Sequence, residues 1–273
     1  MHRAGHTILL PEQVMYDKEF AKVLYKKRDK LSELVSCDKN YDSDRFKKLA
    51  NRRNQIMEIA DYYAVKIERE DPNDSRGLAK RIKDAWAQLD SLDTTKDPIC
   101  HSHVIGVLRN LTYGASQRHP HGYRDGDFEL IVAKRLCDNQ KKIYSLMDSF
   151  LYFANGIRDP LKKALYLHIG IAHLQPGLNG NKRAGQLLSD KVLDNIGFPI
   201  PFIPEVEHEY YSQILYKASC QIDLQTPEQM PAVREAANYL LQRISASIDL
   251  LGECSQINSK KSSIVKAHEE IFS

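Results

Sequence analysis

Hydrophobic side chains recur along most of the chain with the three- or four-residue spacing of an α-helix. Residues 12–35 and 43–70 show this spacing among Lys, Arg and Glu, which is typical of amphipathic helices. The same periodicity predicts further helices over residues 78–92, 101–111, 139–154, 160–174, 184–195, 206–219 and 230–251. The last twenty residues are polar, and we expect them to be frayed. The pattern therefore predicts a mainly helical protein.

One short segment has the pattern of a β-strand instead. FELIVA, residues 128–133, combines β-branched and aromatic side chains and is the only convincing strand candidate. Elsewhere, DTTKDP at residues 93–98 interrupts the helical pattern with Thr, Asp and Pro, which indicates a domain boundary. We therefore predict an all-α fold with one small β element, and an N-terminal helical region over residues 1–98.

Composition and charge narrow the classes of function only slightly. The 273 residues are 42% hydrophobic and 27% charged, and the net charge of +3 is too small to indicate nucleic-acid binding. No apolar run reaches membrane-spanning length, the N-terminus lacks a signal-peptide pattern, and the five cysteines include no C-x-x-C pair. We expect a cytoplasmic protein with reduced thiols and no membrane or nucleic-acid partner. A secreted effector without a classical signal is the alternative.

The stretch HLQPGLNGNKR, residues 173–183, carries the strongest candidate chemistry. Its two glycines let a ligand approach the backbone, and its two asparagines tolerate left-handed conformations. Where the next helix begins, N–H groups and the positive end of the helix dipole would face a phosphate, beside a lysine and an arginine. These six residues are Gly177, Asn179, Gly180, Asn181, Lys182 and Arg183. From residue types alone, an ordinary turn with surface cations is an equally good explanation.

The wider segment PLKKALYLHIGIAHLQPGLNGNKR, residues 160–183, resembles the central region of the Fic/Doc family. HGYRDGDFEL upstream resembles the turn that leads into the family's β-hairpin flap, and KKIYSLMDSFLYFANGIRDPLKKAL resembles the helices that follow it. LDNIGFP and EHEYYSQIL resemble the segments after the motif. The resemblance covers residues 99–220 and implies a helical Fic-type core domain, followed by a C-terminal helical extension over residues 221–273. It also implies transfer of AMP or phosphate from ATP, with Mg²⁺, to a hydroxyl of a target protein.

The chain departs from the family motif, H-x-F-x-[D/E]-G-N-[G/K]-R-x-x-R, at four positions. An alignment without gaps, anchored on residues 181–183, places Gln175 at the catalytic His and Asn179 at the acidic residue. Gly177 stands at the aromatic position, and Gln186 stands at the second Arg. The resemblance therefore implies a motif that retains Gly180, Lys182 and Arg183 but has no catalytic base, because Gln175 replaces the His.

These departures predict altered or lost catalysis. The motif His is thought to take the proton from the attacking hydroxyl, whereas a Gln amide accepts no proton at any useful pH and can only orient a hydroxyl. Asn179 replaces a hard carboxylate and so weakens the case for a bound Mg²⁺. Gln186 removes one phosphate contact. What the resemblance still implies is weak ATP binding at a site formed by residues 179–183, with Gln186 at the position of the second Arg.

A gapped alignment would instead let His173 act as the base from a lengthened loop. That alignment needs a two-residue insertion in a tight loop. It also gives up the match of His168 to a His that many members carry seven residues before the motif His. Lys182 at the [G/K] position resembles the Doc branch, which implies transfer of phosphate and not of AMP.

The segment YYAVKIER, residues 62–69, resembles the inhibitory helix of the family. Glu68 takes the position of the inhibitory glutamate, whereas Ala64 and Arg69 replace the hydroxyl residue and the glycine of that pattern. The partner of the inhibitory Glu in the family is the second motif Arg, which is Gln186 in this chain. A plain amphipathic helix explains the segment equally well.

The predicted flap is where a target protein would dock. Phe128, Leu130 and Val132 would present a strand edge to an extended peptide, as the family flap is believed to do, or would only pad the core. Three functional hypotheses follow from the sequence. The chain is a transferase with slowed or redirected chemistry, a non-catalytic module that binds a nucleotide or a protein, or a regulatory subunit of another enzyme.

Overall fold

A computed structural model describes residues 7–37, 75–111, 123–124, 129–130, 135–136, 140–177, 180–224 and 230–271. Its α-helices are α1 (Lys18–Cys37), α2 (Ser75–Ala87), α3 (His101–Leu111), α4 (Gln140–Gly156), α5 (Pro160–Leu174), α6 (Asn181–Asn195), α7 (His208–Leu224) and α8 (Pro231–Ile271). Short 3₁₀ turns lie at Pro11–Gln13 and Glu205–Glu207. The helix predicted over residues 43–70 lies outside the described residues.

Two short strands form the small β element of the fold. Strand β1 (Glu129–Leu130) pairs antiparallel with β2 (Arg135–Leu136), so that Glu129 lies opposite Leu136 and Leu130 opposite Arg135. The all-α class with a small β-hairpin is therefore confirmed. The prediction of one strand over residues 128–133 missed the second strand, because β2 alternates a charged and an apolar residue over too short a length to stand out.

Helix α5 runs through the middle of the fold. Leu161 and every residue from Lys163 to Leu174 is buried, and the helix packs against α4, α6, α7 and α8. A helix with apolar residues on all sides has to be surrounded by other elements, which explains this central position. Pro160 occupies the first turn, and the Asp159 carboxylate accepts hydrogen bonds from the N–H groups of Leu161 and Lys162. The predicted bounds of this helix, 160–174, are confirmed.

Two helices approach α5 closely at glycines, one on α5 itself and one on its neighbour α6. A Cβ atom on Gly185 of α6 would lie 2.7 Å from the His168 carbonyl oxygen, and one on Gly170 would lie 2.1 Å from a ring carbon of Phe150 on α4. The Phe150 ring also stacks on Tyr166, with ring centroids 4.7 Å apart. Small residues at these two crossings therefore set the distance between α5 and its neighbours.

The N-terminal and C-terminal helices pack together on one side of this core. Lys27 of α1 contacts Asp249 of α8 at 2.7 Å, and the Tyr166 hydroxyl donates to the carbonyl of the fully buried Leu9 at 2.7 Å. Helix α1 begins at Lys18 and not near residue 12, because Asp17 accepts the N–H groups of residues 19 and 20 and so caps the helix there.

Helix α8 is longer than the sequence pattern predicts. It continues to Ile271, so the prediction of a frayed end over the last twenty residues is wrong for the part of the chain that the structure describes. No proline interrupts residues 252–271, and Lys, Glu, Ala and Ile are compatible with a helix even without an apolar stripe. The other predicted helix boundaries differ from the observed ones by at most five residues.

The segment predicted as a domain boundary, residues 93–98, is tied to the helical core. Thr94 donates from its N–H and its hydroxyl to the Asn195 side-chain oxygen, both at 2.9 Å, and the Lys163 amine donates to the Thr94 carbonyl at 3.2 Å. The divisions of the chain at residues 98 and 220 stay predictions. Within the described ranges, no helix is long and apolar enough to cross a membrane.

Gly170→Ala is expected to lower the free energy of unfolding by about 2–3 kcal/mol, because the added methyl group would overlap the buried Phe150 ring. Gly156→Ala at the end of α4 is the control, since a Cβ there meets nothing within 4 Å, and we expect it to be neutral or slightly stabilising. Urea denaturation of both variants measures the difference. Equal midpoints would contradict the packing described here.

Candidate functional site

The candidate site is the loop between the C-terminus of α5 and the N-terminus of α6. Residues 175–177 and Gly180 of this loop are described, whereas Leu178 and Asn179 lie outside the described residues. The predicted roles of Asn179 in phosphate and metal binding therefore stay predictions. The rest of the loop is held by side chains that come from both helices and from Arg124.

Gln175 is the first residue after α5 and has a left-handed backbone conformation, with φ 51° and ψ 54°. Its N–H still donates to the Ile171 carbonyl at 3.1 Å, but the helix stops here because Pro176 follows, and a residue before proline is disfavoured in the helical region. Among the described residues other than glycine, no other residue has a positive φ. The residue aligned with the catalytic His thus lies exactly at the turn out of α5.

Both ends of the Gln175 side chain are engaged within the loop. Its Nε2 donates to the Ala172 carbonyl, and its Oε1 accepts from Asn181 Nδ2 at 2.9 Å. An amide whose donor and acceptor already have partners must break one of these bonds before it can contact a substrate. In this geometry Gln175 acts as a connector of the loop, and its amide has no capacity to take up a proton.

Asn181 joins the two ends of the loop. Its side chain is 3% exposed, its Oδ1 accepts from the Gly177 N–H at 2.6 Å, and its Nδ2 donates to the Gly177 carbonyl at 2.8 Å as well as to Gln175. The sequence analysis predicted a contact between Asn181 and phosphate. The structure shows that its side chain is committed to the loop, so that its backbone is the part left for such a contact.

Helix α6 begins at a glycine that has no side chain to cap it. Gly180 has φ 75°, and a Cβ atom there would lie 3.0 Å from Leu111 Cβ on α3. The first backbone hydrogen bond inside α6 runs from the Ala184 N–H to the Gly180 carbonyl at 2.8 Å. The first N–H groups of any helix lack acceptors in the helix itself, and with the helix dipole they favour an anion.

The predicted cations lie on the first turn of α6. The Lys182 amine donates to the Ser212 hydroxyl of α7 at 3.1 Å. The pKa of Lys182 is lowered, mainly because the surrounding protein displaces water from the amine and to a smaller degree because of the neighbouring Arg183 charge. The Lys182 side chain nevertheless remains in contact with solvent. Arg183 and Gln186 are half-buried on the same helix. The described part of the site is therefore positively charged at the helix start.

Neither histidine near the loop is placed to act as its base. His173 is fully buried, and its Nε2 donates to the Thr7 carbonyl at 2.9 Å, so an incoming hydroxyl cannot reach this ring without a rearrangement of the N-terminal segment. His168 is also fully buried and bonds the Tyr211 hydroxyl at 2.6 Å, and burial lowers its pKa to about 3. The alternative in which His173 acts as the base has no support in this geometry.

Arg124 is a residue of the site that the sequence analysis did not single out. Its Nε donates to the Gln175 carbonyl at 2.7 Å, and its N–H donates to the Pro176 carbonyl at 2.8 Å. It lies in the HGYRDGDFEL segment, five residues before β1. The only signal in the sequence was the match of this segment to a family turn, because nothing in residue spacing links position 124 to position 175.

Other predicted site residues fall partly outside the description. Phe128, Val132 and Glu68 lie outside the described residues, and Leu130 is described only as part of β1. Their roles in target docking and inhibition stay predictions. The described ranges contain no group of three or more His, Cys, Asp or Glu side chains that would hold a metal ion. Asn181 Oδ1 already accepts the Gly177 N–H, so this oxygen is a poor ligand for Mg²⁺.

A cavity of about 640 Å³ lies at the other end of α5, where Arg158, Asp159 and Lys162 line it together with Pro11 and residues 152, 153 and 155–157. Helix α5 has 15 residues and is therefore about 22 Å long, so this cavity is well separated from the loop. Its acidic residue caps α5 and its asparagine, Asn155, bonds both backbone groups of Ile99. The cavity does not belong to the candidate site.

Solved structures show which fold this arrangement represents. A Fic-domain-containing signaling protein from Bacteroides thetaiotaomicron has a TM-score of 0.62 at 15% identity, over 87% of this chain and 97% of its own. The chain has the fold of Fic-domain proteins. Fic-1 from C. elegans (TM-score 0.61, 15% identity, 86% of this chain and 71% of its own) and a Fic family protein from Desulfovibrio desulfuricans (0.58, 14%, 86% and 74%) agree. The sequence matches no protein-family model and no curated protein.

In this Fic fold, Asn181→Ala is expected to lower the free energy of unfolding by about 2 kcal/mol, because it leaves the buried N–H and carbonyl of Gly177 without their partner. Asn110→Ala is the matched control, since Asn110 donates a single bond to a carbonyl of its own helix and is half-buried. Chemical denaturation of both variants tests this. A loss at Asn110 as large as that at Asn181 would contradict the role of Asn181 as a connector.

The burial of His168 also predicts a dependence of stability on pH. Its pKa is about 3 in the folded protein and about 6.5 when unfolded, so the unfolded chain binds the proton first. Stability is fully present above pH 6.5 and falls as the pH drops towards 3, by at most about 1.4 kcal/mol per pH unit from this group. Denaturation between pH 4.5 and 7.5 is expected to show a shallower slope for His168→Gln than for the unmodified protein; parallel curves would contradict it.

Proposed function

We propose that the protein is a Fic-type nucleotide-binding protein whose group-transfer chemistry is impaired. The observation that carries this proposal is Gln175, which lies at the turn where the resemblance expects the catalytic His and has both ends of its amide bound within the loop. The Fic fold supports the alignment, because α5 ends and α6 begins where the motif requires. In this proposal the phosphate-binding site is retained, whereas the general base is lost.

The start of α6 supports the nucleotide part of the proposal. Its N–H groups, the Lys182 amine and the Arg183 guanidinium provide positive charge at one helix end, which suits the phosphates of ATP. Gly180 has a positive φ, and its missing Cβ leaves room for Leu111 of α3, so that α6 begins at the loop with no side-chain cap on its first N–H groups. Lys182 at the position that resembles the Doc branch favours phosphate over AMP as the transferred group.

The loss of the base is the reason to expect impaired transfer. Removal of a positioned general base typically slows a reaction by about 10²–10⁴-fold, and a Gln amide replaces only its capacity to orient a hydroxyl. A target protein would provide that hydroxyl while bound at the hairpin of β1 and β2, where an extended peptide could pair with a strand edge. Residual transfer would then depend on positioning alone.

The second candidate is a non-catalytic module that binds a nucleotide or a protein, or that acts as a regulatory subunit. The hydrogen bonds among Gln175, Gly177 and Asn181 favour it, because they engage both side-chain amides within the loop. In that case nucleotide binding would serve as a structural signal, with no turnover.

The sharpest test of the proposal is to restore a base by the substitution Gln175→His. The left-handed region accepts His more readily than most residues, so Gln175→His fits the existing backbone. With ATP labelled at the α- or the γ-phosphate, and cell lysate as the source of targets, we expect Gln175→His to raise transfer by about 10²-fold or more over the unmodified protein. Gln242→His, an exposed position on α8, is the control and should change nothing.

The possible results separate the candidates. Label from the γ-phosphate supports phosphate transfer, and label from the α-phosphate supports AMP transfer. ATP binding by calorimetry without label from either variant supports the non-catalytic module. No ATP binding at millimolar concentration would rule out the nucleotide part of the proposal.

A further inference from the structure

Arg124 is a buried arginine whose hydrogen bonds are directed at the backbone of the candidate site. Its side chain is 2% exposed. Arginine is rarely this buried unless its N–H groups are bound, because removing its charge from water is costly. Two of its donors are the Nε and the backbone N–H, and both bind the loop after α5. The Arg124 side chain therefore packs against the loop and is hydrogen-bonded to its backbone.

The two bonds hold the backbone on either side of the left-handed turn. Nε contacts the Gln175 carbonyl at 2.7 Å and the backbone N–H contacts the Pro176 carbonyl at 2.8 Å. A residue other than glycine keeps a left-handed conformation only where its surroundings fix it. Charge-assisted donation to a carbonyl is stronger than a neutral hydrogen bond, and the planar guanidinium gives it direction.

Arg124 is itself anchored by the residue before it. Tyr123 is fully buried, and its hydroxyl bonds His101 Nδ1 at 2.7 Å. His101 Nε2 in turn bonds the Asp148 carboxylate of α4 at 2.7 Å. Tyr123 and Arg124 thus connect α3 and α4 on one side to the loop on the other.

We infer that Arg124 is a positioning residue that fixes the backbone at positions 175 and 176 of the loop between α5 and α6. The functional consequence rests on the proposed function: a nucleotide at the start of α6 meets a loop whose first residues Arg124 already holds in place. The inference differs from a purely structural role, in which a buried cation adds only to global stability.

Lys163 provides the matched control for this distinction. It is also a buried cation, and its amine also donates to the backbone carbonyl of a connecting segment, Thr94, at 3.2 Å. Lys163 lies on α5, which ends at the loop, but its hydrogen bond holds the segment of residues 93–98 and not the loop. Lys163→Met and Arg124→Met therefore remove comparable groups and differ in what the group holds.

The experiment compares amide hydrogen exchange and ATP affinity in Arg124→Met, Arg124→Lys and Lys163→Met. We expect Arg124→Met to speed exchange of the Gly177 amide at least tenfold relative to Ile169 in the middle of α5, and to weaken ATP binding about tenfold. Arg124→Lys should fall between it and the unmodified protein, because an amine can still donate to the Gln175 carbonyl. Lys163→Met should leave the ratio of Gly177 to Ile169 exchange unchanged.

Equal loosening of Gly177 in Lys163→Met and Arg124→Met, or no loosening in either Arg124 variant, would overturn the inference. Should Arg124→Met fail to fold, Arg124→Lys decides by the same exchange ratio. If the unmodified protein binds no ATP, the proposed function fails, but the exchange ratio still tells whether Arg124 holds the loop.

Discussion

The burial of α5 over nearly its whole length is the constraint on which the rest of the structure depends. A helix with no polar face has to be enclosed by its neighbours, so α4, α6, α7 and α8 are arranged around it. Gly170 and Gly185 let two of these helices come close. Because both ends of α5 are sharply defined, by the Asp159 cap and by the residue before Pro176, the enclosed helix also fixes where the loop to α6 begins. The site is thus positioned by the core and not by surface contacts.

Within this frame the loop combines two properties that are separate in origin. Its positive charge comes from the N-terminus of α6 and from the side chains of Lys182 and Arg183 on the first turn of that helix. Its shape comes from buried amides, because Asn181 bonds Gly177 twice and Gln175 once. The described part of the loop is held by its own side chains, which suits a binding site better than it suits a site that must rearrange during proton transfer.

The sequence predicted the helical class and the bounds of α5 and α3 well, because periodic apolar positions, Pro160 and Gln175-Pro176 are local signals. It placed the start of α1 too early and the end of α8 too far back, because a capping carboxylate at Asp17 and a polar continuous helix leave little trace in hydrophobic periodicity. At the site, it identified the residues of the α6 start. It did not foresee that His173 faces Thr7, nor that Arg124 holds Gln175, because these contacts join residues 166 and 51 positions apart.

The left-handed backbone at position 175 also bears on how such a protein evolves. Glutamine and histidine are encoded by codons that differ only in the third base, and both residues are compatible with a left-handed turn that Pro176 and Arg124 help to hold. A single nucleotide change at this codon therefore exchanges an amide for an imidazole on the same backbone, at the cost of the hydrogen bonds that Gln175 makes to Ala172 and Asn181.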